Sequence, residues 1–441
     1  MRPEAVAFAV VLAACPAFGQ DMKDMPGMTM PMDQPKPAAP IPSPPPGHDM
    51  SNMPGMEMPM PGVLGSYAMS RDASGTSWQP DDAEHHGLHS MLGDWALMTH
   101  ATLWGIYDTQ SGPRGADKFF APGMFMISAR RDLDAGDTLN FRAMLSPDPL
   151  MGKSGYPLLL ATGETANGVT PLIDRQHPHD LFMELSGTYS HKLSDSNSAF
   201  FYFGYPGEPA LGPTAFMHRA SSMDIPEAPI THHWMDSTHI TFGVATAGFV
   251  HDDWKIEVSQ FTGREPDQNR YDFDTPRFDS TAVRVTWNPD EHWSLQTSWG
   301  HLVSPEQLSP LTNENRTTAS ATYVTHWGDE SSFAATLGWG LKSESGGANL
   351  NGALLEADYK PAEPWTAFAR AEWEQNHELA PGGAIHDVSE LTLGGIHDWK
   401  IAEHVKFGLG ASYTFDFVPS LTPTYGSNPH GILGFARLKL E

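Results

Sequence analysis

From about Trp95 onward the chain alternates apolar and polar residues with a period of two, in one segment after another. Trp293, Leu295, Thr297 and Trp299 alternate with Ser294, Gln296 and Ser298. Trp365, Ala367, Ala369, Ala371 and Trp373 alternate with residues that include Arg370, Glu372 and Glu374. Val405, Phe407, Leu409, Ala411 and Tyr413 alternate with Lys406, Gly408, Ser412 and Thr414. A period of two is the signature of a strand with two unlike faces. Here one face is apolar with aromatic residues at its ends, and the other carries charge. A soluble sandwich also alternates but hides its apolar face against a second sheet. Segments of about ten residues with aromatic ends fit a lipid-facing barrel with a polar lumen.

Sixteen such segments are expected, at 94–108, 119–132, 137–147, 180–191, 197–205, 238–251, 253–263, 278–289, 291–302, 316–327, 330–340, 350–361, 363–374, 387–399, 403–416 and 431–440. Short turns such as 133–136, 193–196, 289–290 and 361–362 alternate with long connections, above all 148–179 and 206–237. Short turns on one rim and long loops on the other make an all-β, transmembrane antiparallel β-barrel of outer-membrane type, with both termini on the periplasmic rim. Sixteen strands are porin-sized, wide enough for an aqueous lumen unless loops block it.

Composition narrows the alternatives. No run of about 18 apolar residues follows the N-terminal region, so no transmembrane helix is expected. The 53 acidic against 26 basic residues, a net charge of −27, argue against nucleic acid as a partner. With 13 Trp, 22 Phe and 11 Tyr the chain carries too much ring surface to stay unfolded. A single Cys excludes a disulfide framework and a thiolate metal site.

Residues 1–20 read as a signal peptide, with Arg2 ahead of an apolar stretch and small residues near its end. Two cleavage readings stay open. Ala17-Phe18-Gly19 suits the general signal peptidase and would leave Gln20 first. Leu12-Ala13-Ala14-Cys15 has the form of a lipobox, in which Cys15 would be lipidated.

Residues 21–62 hold 10 of the 22 Met, and their positions are duplicated. The pattern D-M-x-x-M-P-G-M-x-M-P-M occurs first with Met22, Met25, Met28, Met30 and Met32. It returns with Met50, Met53, Met56, Met58 and Met60, preceded by His48. Pro and Gly at this density prevent a helix, so these side chains cannot form one packed stripe. What remains is a disordered array of soft, neutral thioethers, which suits transient binding of Cu(I) or Ag(I) and binds hard cations poorly. Residues 63–93 are expected to form a periplasmic pre-barrel segment, and 94–441 the barrel. Within the pre-barrel segment, His85 and His89, or His86 and His89, would share a face if the chain were helical there.

His and Met return in the two long connections. One ends Asp174-Arg175-Gln176-His177-Pro178-His179-Asp180, where Asp174 and Asp180 are placed to orient the imidazoles of His177 and His179. The other contains Met217-His218 and His232-His233, with His239 expected just inside the next strand. Imidazole serves Cu(II) and thioether Cu(I), so these residues could form a copper relay in the lumen. No nucleophile elbow, P-loop, H-E-x-x-H or dinucleotide fingerprint occurs, and an enzyme is not expected.

A signal peptide, a Met/His-rich mature N-terminus and an outer-membrane barrel resemble, in layout, the copper-resistance outer-membrane proteins of the CopB/PcoB type. The barrel stretches 171–185, 207–219 and Gly263-Arg264-Glu265-Pro266-Asp267 look like an uncharacterised family of exported bacterial barrel proteins. The first resemblance implies copper tolerance and an outer-membrane location, and assigns no residue in the barrel. The expected function is capture of Cu(I) or Ag(I) by the periplasmic tail, with sequestration or efflux through the lumen. Lipid, the ions and periplasmic copper-handling proteins would be its partners. A general porin with an incidental tail is the alternative, and a loop-plugged barrel with the tail as a metal store is a third reading.

Overall fold

The computed structural model describes residues 61–84, 87–133, 136–328 and 331–441. The signal segment, the ten tail Met, His48, His85 and His86 therefore lie outside the described residues.

Sixteen antiparallel strands close into one barrel. They are Trp95–Gln110, a second strand in two pieces (Asp117–Phe120 and Gly123–Asp132), Asp137–Leu145, Phe182–Lys192, Asn197–Gly204, Val244–His251, Trp254–Phe261, Ser280–Asp290, Trp293–Leu302, Glu314–Trp327, Ser331–Glu344, Asn349–Ala362, Trp365–Asn376, His386–Ala402, Val405–Phe417 and His430–Leu440. Each pairs with its neighbour in sequence, and the last closes on the first, from Ala101 opposite Leu440 to Gln110 opposite Gly431. Closure leaves no edge, which a lipid-embedded sheet requires because no solvent is there to satisfy an unpaired backbone.

The outer wall is built for a bilayer. Trp254, Trp287, Trp293, Trp327, Trp365 and Trp399 are exposed next to the short turns, and Trp254 stacks on Trp287 at 4.9 Å between ring centroids. Tyr107, Trp299, Trp339 and Phe417 are exposed toward the opposite rim, with Val258, Leu337, Leu355 and Leu409 between. Two aromatic girdles flanking an aliphatic belt match the two headgroup layers and the acyl core.

Four details depart from the expectations. The strand expected at 238–251 begins only at Val244, and His239 lies in a 3-10 turn, Ser237–His239, that remains part of the preceding loop. The second strand breaks at Ala121-Pro122, where proline has no N–H to give to the ladder. The connection expected at 148–179 contains its own hairpin, Tyr156–Thr165 with Pro171–Gln176. Finally, Leu88–Leu92 is a strand that folds back on Trp95–Thr99 across Gly93-Asp94. Gly93 has φ 61°, the left-handed conformation that tight hairpins need. His89 is thus on a strand and not on a helix, while His85 and His86 lie outside the described residues.

Three segments fill the lumen. Residues 61–84, which include most of the expected pre-barrel segment 63–93, fold inside the barrel on the short-turn side. Tyr67 and Trp78 are buried with Phe200 and Val250, and Ser190 Oγ donates to the Val63 carbonyl at 2.6 Å. Asn288 Nδ2 donates to the Gln79 carbonyl at 2.8 Å, and Lys255 reaches the Thr76 carbonyl. The polar inner wall satisfies the segment's backbone, which is why an irregular chain can sit there. The hairpin just described and residues 205–243 occupy the rest, the latter buried almost throughout.

Candidate metal centre in the lumen

Residues 205–243 are held by a charged clamp. Arg219 pairs through Nε and Nη2 with the two carboxylate oxygens of Glu356, and through Nη1 with Asp236 Oδ2 at 3.1 Å. Arg370 adds a bond to Glu356 at 3.3 Å, one to the Glu227 carbonyl at 3.0 Å and one to Ser222 at 2.8 Å. Thr231 binds Glu372 through both its backbone N–H and its hydroxyl, at 3.0 and 2.7 Å. The short helix His232–Met235 lies directly on the inner wall. Glycine is required there, because a Cβ at Gly352 would stand 2.8 Å from Trp234 Cγ. Trp234 Nε1 also donates to the Leu350 carbonyl at 3.1 Å.

This seating brings five imidazoles together from two loops. His232 and His239 lie 5.2 Å apart between ring centroids, and His179 and His239 5.3 Å. His233 lies 5.6 Å from His232, and His177 6.0 Å from His233. Phe216 contacts His179, His232 and His239, an apolar wedge at the middle of the group.

Three of these rings are fixed through Nδ1. Asp148 Oδ2 holds His179 Nδ1 at 2.8 Å, Asp236 Oδ1 holds His232 Nδ1 at 2.7 Å, and the Asp236 carbonyl holds His239 Nδ1 at 2.8 Å. Nε2 of His179 and of His239 is buried without a hydrogen-bond partner. Imidazole tied at one nitrogen by a carboxylate or carbonyl, with the other nitrogen left open, is how a protein orients a metal ligand. Asp236 serves twice, binding the clamp through Oδ2 and His232 through Oδ1.

Asp174 and Asp180, the sequence neighbours expected to orient His177 and His179, do not do so. Asp180 turns to Arg270 at 3.1 Å, and Asp174 accepts from the Leu160 N–H at 3.0 Å and pairs with Arg114. Buried Arg270 and half-buried Arg114 draw these carboxylates away, and more distant acids replace them. Asp148 takes His179, and Glu164 lies 3.4 Å from His177 Nε2.

Burial sets the protonation of the loop imidazoles. It lowers His239 to about 3, and lowers His177 and His218 well below the ordinary imidazole range. His232 is also lowered by burial, against the opposing pull of Asp236. These rings are neutral at neutral pH, the form that offers a lone pair. For His233 burial again disfavours the charge, but Glu265, 3.4 Å away, outweighs it and raises the group to about 9. His233 is therefore held in an ion pair with Glu265.

Of the positions expected from sequence, His177, His179, His232 and His233 come together, while Met217 and His218 stand to one side. His218 faces His100 at 5.9 Å, and Met217 packs on a cluster containing Met126, Met144 and Met183. The tail ligands lie outside the described residues. Sequence reasoning missed Asp148, whose contact with His179 spans 31 residues, and Asp236, which holds His232 and His239 only once the loop turns back on itself there.

The imidazole group is wider than a closed coordination site. Among the described residues, two groups of three bring one donor atom each within 4.8 Å of one another, Asp82–Glu291–His292 and Asp267–Asp272–Asp274. The imidazoles are not one of them.

No family model and no curated protein matches the chain. Among solved structures, the Salmonella typhi OmpF complex with daunomycin is similar over 80% of this chain and 100% of that one, with TM-score 0.53 and 8% sequence identity. This chain has a porin-like fold. OmpT, an outer membrane protein of Vibrio cholerae, matches over 80% of this chain and 100% of its own at 7% identity and TM-score 0.46. An anion-selective porin from Comamonas acidovorans matches over 78% and 100% at 11% identity and TM-score 0.43. At such identities the likeness concerns the porin-like barrel alone.

Proposed function

We propose that the protein is an outer-membrane barrel that takes up copper ions, in its periplasmic Met-rich tail and at the imidazole group in its lumen. Its contribution to copper tolerance would be sequestration or efflux. The observation that carries this reading is the pair His179 and His239, each held at Nδ1 and each with a buried Nε2 that no protein group satisfies. A buried unsatisfied polar atom costs about 1–3 kcal/mol, so two together call for a ligand. The spread of the rings favours a site that exchanges ions over one that stores them. A lumen filled by three segments speaks against free diffusion of general solutes.

Two measurements test the reading. Cu(II) is titrated into the purified full-length protein and into a His179→Ala/His239→Ala variant, and one equivalent should be lost in the variant. Copper tolerance is then compared in cells whose protein lacks residues 21–62. Unchanged tolerance together with unchanged stoichiometry would leave a plain porin-like barrel.

A further inference from the structure

Porin-type inner walls are polar, yet one sector of this wall is lined with methionine. Lumen-facing positions on the first strands are even-numbered, as buried Trp104, Ile106 and Asp108 on the first strand and buried Asn140 on the third indicate. Met98 and His100 occupy that face on the first strand, Met124 and Met126 on the second, and Met144 on the third. Register joins them. His100 is opposite Met126, Met126 is opposite Met144, and Met144 is opposite Glu184. Directly opposed residues in an antiparallel pair have Cα atoms about 4.5–5.5 Å apart, within reach of one ion for long, flexible side chains. Met217 and His218 approach the same sector from the loop, and a cavity of about 180 Å³ opens between wall and loop.

The methionines are segregated as well as inward. Other buried clusters in the barrel are built mainly from Leu, Ile, Val, Phe, Tyr, Trp and Ala with at most one Met each, whereas the one here consists of Met and a single Ile. Leucine would fill space with better-defined rotamers, so packing alone gives no reason for such a choice. Thioethers are soft and uncharged, and they need no deprotonation to bind. Glu184, at the end of the row, is buried and already shared by Ser186 and Tyr202 at 2.6 and 3.1 Å. A monovalent ion adds one charge to this sector, which costs less to bury than two.

We propose that Met98, Met124, Met126 and Met144, with Met217 from the loop, form a separate thioether site for a soft monovalent cation, Cu(I) or Ag(I). This goes beyond the imidazole site and does not depend on it. The two donor sets divide the lumen by hardness, with imidazole for the divalent form and thioether for the monovalent one.

The test uses the full chain with the ten tail Met changed to Leu, so that tail thioethers contribute nothing. Ag(I), which keeps its oxidation state, is titrated in and the loaded protein is measured by X-ray absorption. One bound Ag(I) with sulfur neighbours is expected. Adding Met124→Leu, Met126→Leu and Met144→Leu, near-isosteric changes that cores tolerate, should weaken binding at least about tenfold. The His179→Ala/His239→Ala change should leave the sulfur shell intact, which separates failure of this site from failure of the imidazole reading. Unchanged Ag(I) affinity in the triple Leu variant would overturn the proposal. So would a shell of nitrogen and oxygen alone in the tail-silenced protein, a result that needs no barrel variant to fold.

Discussion

The two sides of the loop 205–243 are built on opposite principles. Toward Glu356 the strong groups are matched: Arg219 and Arg370 converge on one carboxylate and spend their remaining donors on Asp236, Ser222 and two backbone carbonyls. Toward Asp148 the imidazoles are satisfied on one nitrogen and left open on the other. Matched charges fix a loop in place. Open donors cost stability and are useful only when something else binds them. The difference separates the part of the lumen that holds the fold from the part available to a ligand, and Asp236 joins the two.

The largest effect is expected at the clamp. Glu356→Ala leaves two buried guanidinium groups without their shared partner and should destabilise the folded protein by about 3–5 kcal/mol, read from denaturant midpoints in detergent. The loop would then leave the wall, and bilayer conductance should rise. Conductance that stays at the parent level would show that the clamp does not hold the loop.

Asp236→Asn touches both regions and sharpens the contrast. Loss of one carboxylate charge should cost about 1–3 kcal/mol through Arg219 and lower Cu(II) affinity about 10–100-fold through His232. If stability falls and affinity does not, Asp236 belongs to the clamp alone.

Removing the open donors should have the opposite profile. His179→Ala with His239→Ala should abolish one Cu(II) equivalent while shifting the denaturant midpoint far less than Glu356→Ala does. A midpoint loss as large as that of Glu356→Ala would make these rings structural and break the comparison.

Asp148→Asn is the mildest probe. Its amide oxygen can still accept from His179, so the fold should be unchanged in near-ultraviolet circular dichroism. Cu(II) affinity should drop about tenfold, because a neutral acceptor raises ligand basicity less than a carboxylate. Equal affinity in parent and variant would assign His179 no orienting partner that matters.

Local pattern carried the strand reading a long way. Each of the sixteen expected segments overlaps an observed strand, because alternation is imposed residue by residue by lipid on one side and polar lumen on the other. Legibility stopped where contacts skip along the chain. The sequence places His239 just inside a strand, next to the alternating Ile240, Phe242 and Val244. The turn at Ser237–His239 is instead held by the Asp236 carbonyl and by the packing of the whole loop in the lumen. Asp174 and Asp180 were plausible partners for His177 and His179 by proximity in sequence. Arg114 and Arg270, 60 and 90 residues away, compete for them successfully.

The methionine wall shows the same boundary from another direction. Met124 and Met126 alternate with Phe125 and Ile127, so every residue in that stretch reads as apolar and neither face stands out. Only closure of the barrel assigns Phe125 and Ile127 to the exposed outer surface and the methionines to the lumen. The sequence by itself determined the strand period and the strand number, since both follow from residue type and spacing. The tertiary structure decided which loops enter the lumen, which acid holds which histidine and which face the wall methionines occupy. Those choices are settled by competition among groups far apart in the chain, and burial makes every unmatched charge too costly to leave where local sequence would put it.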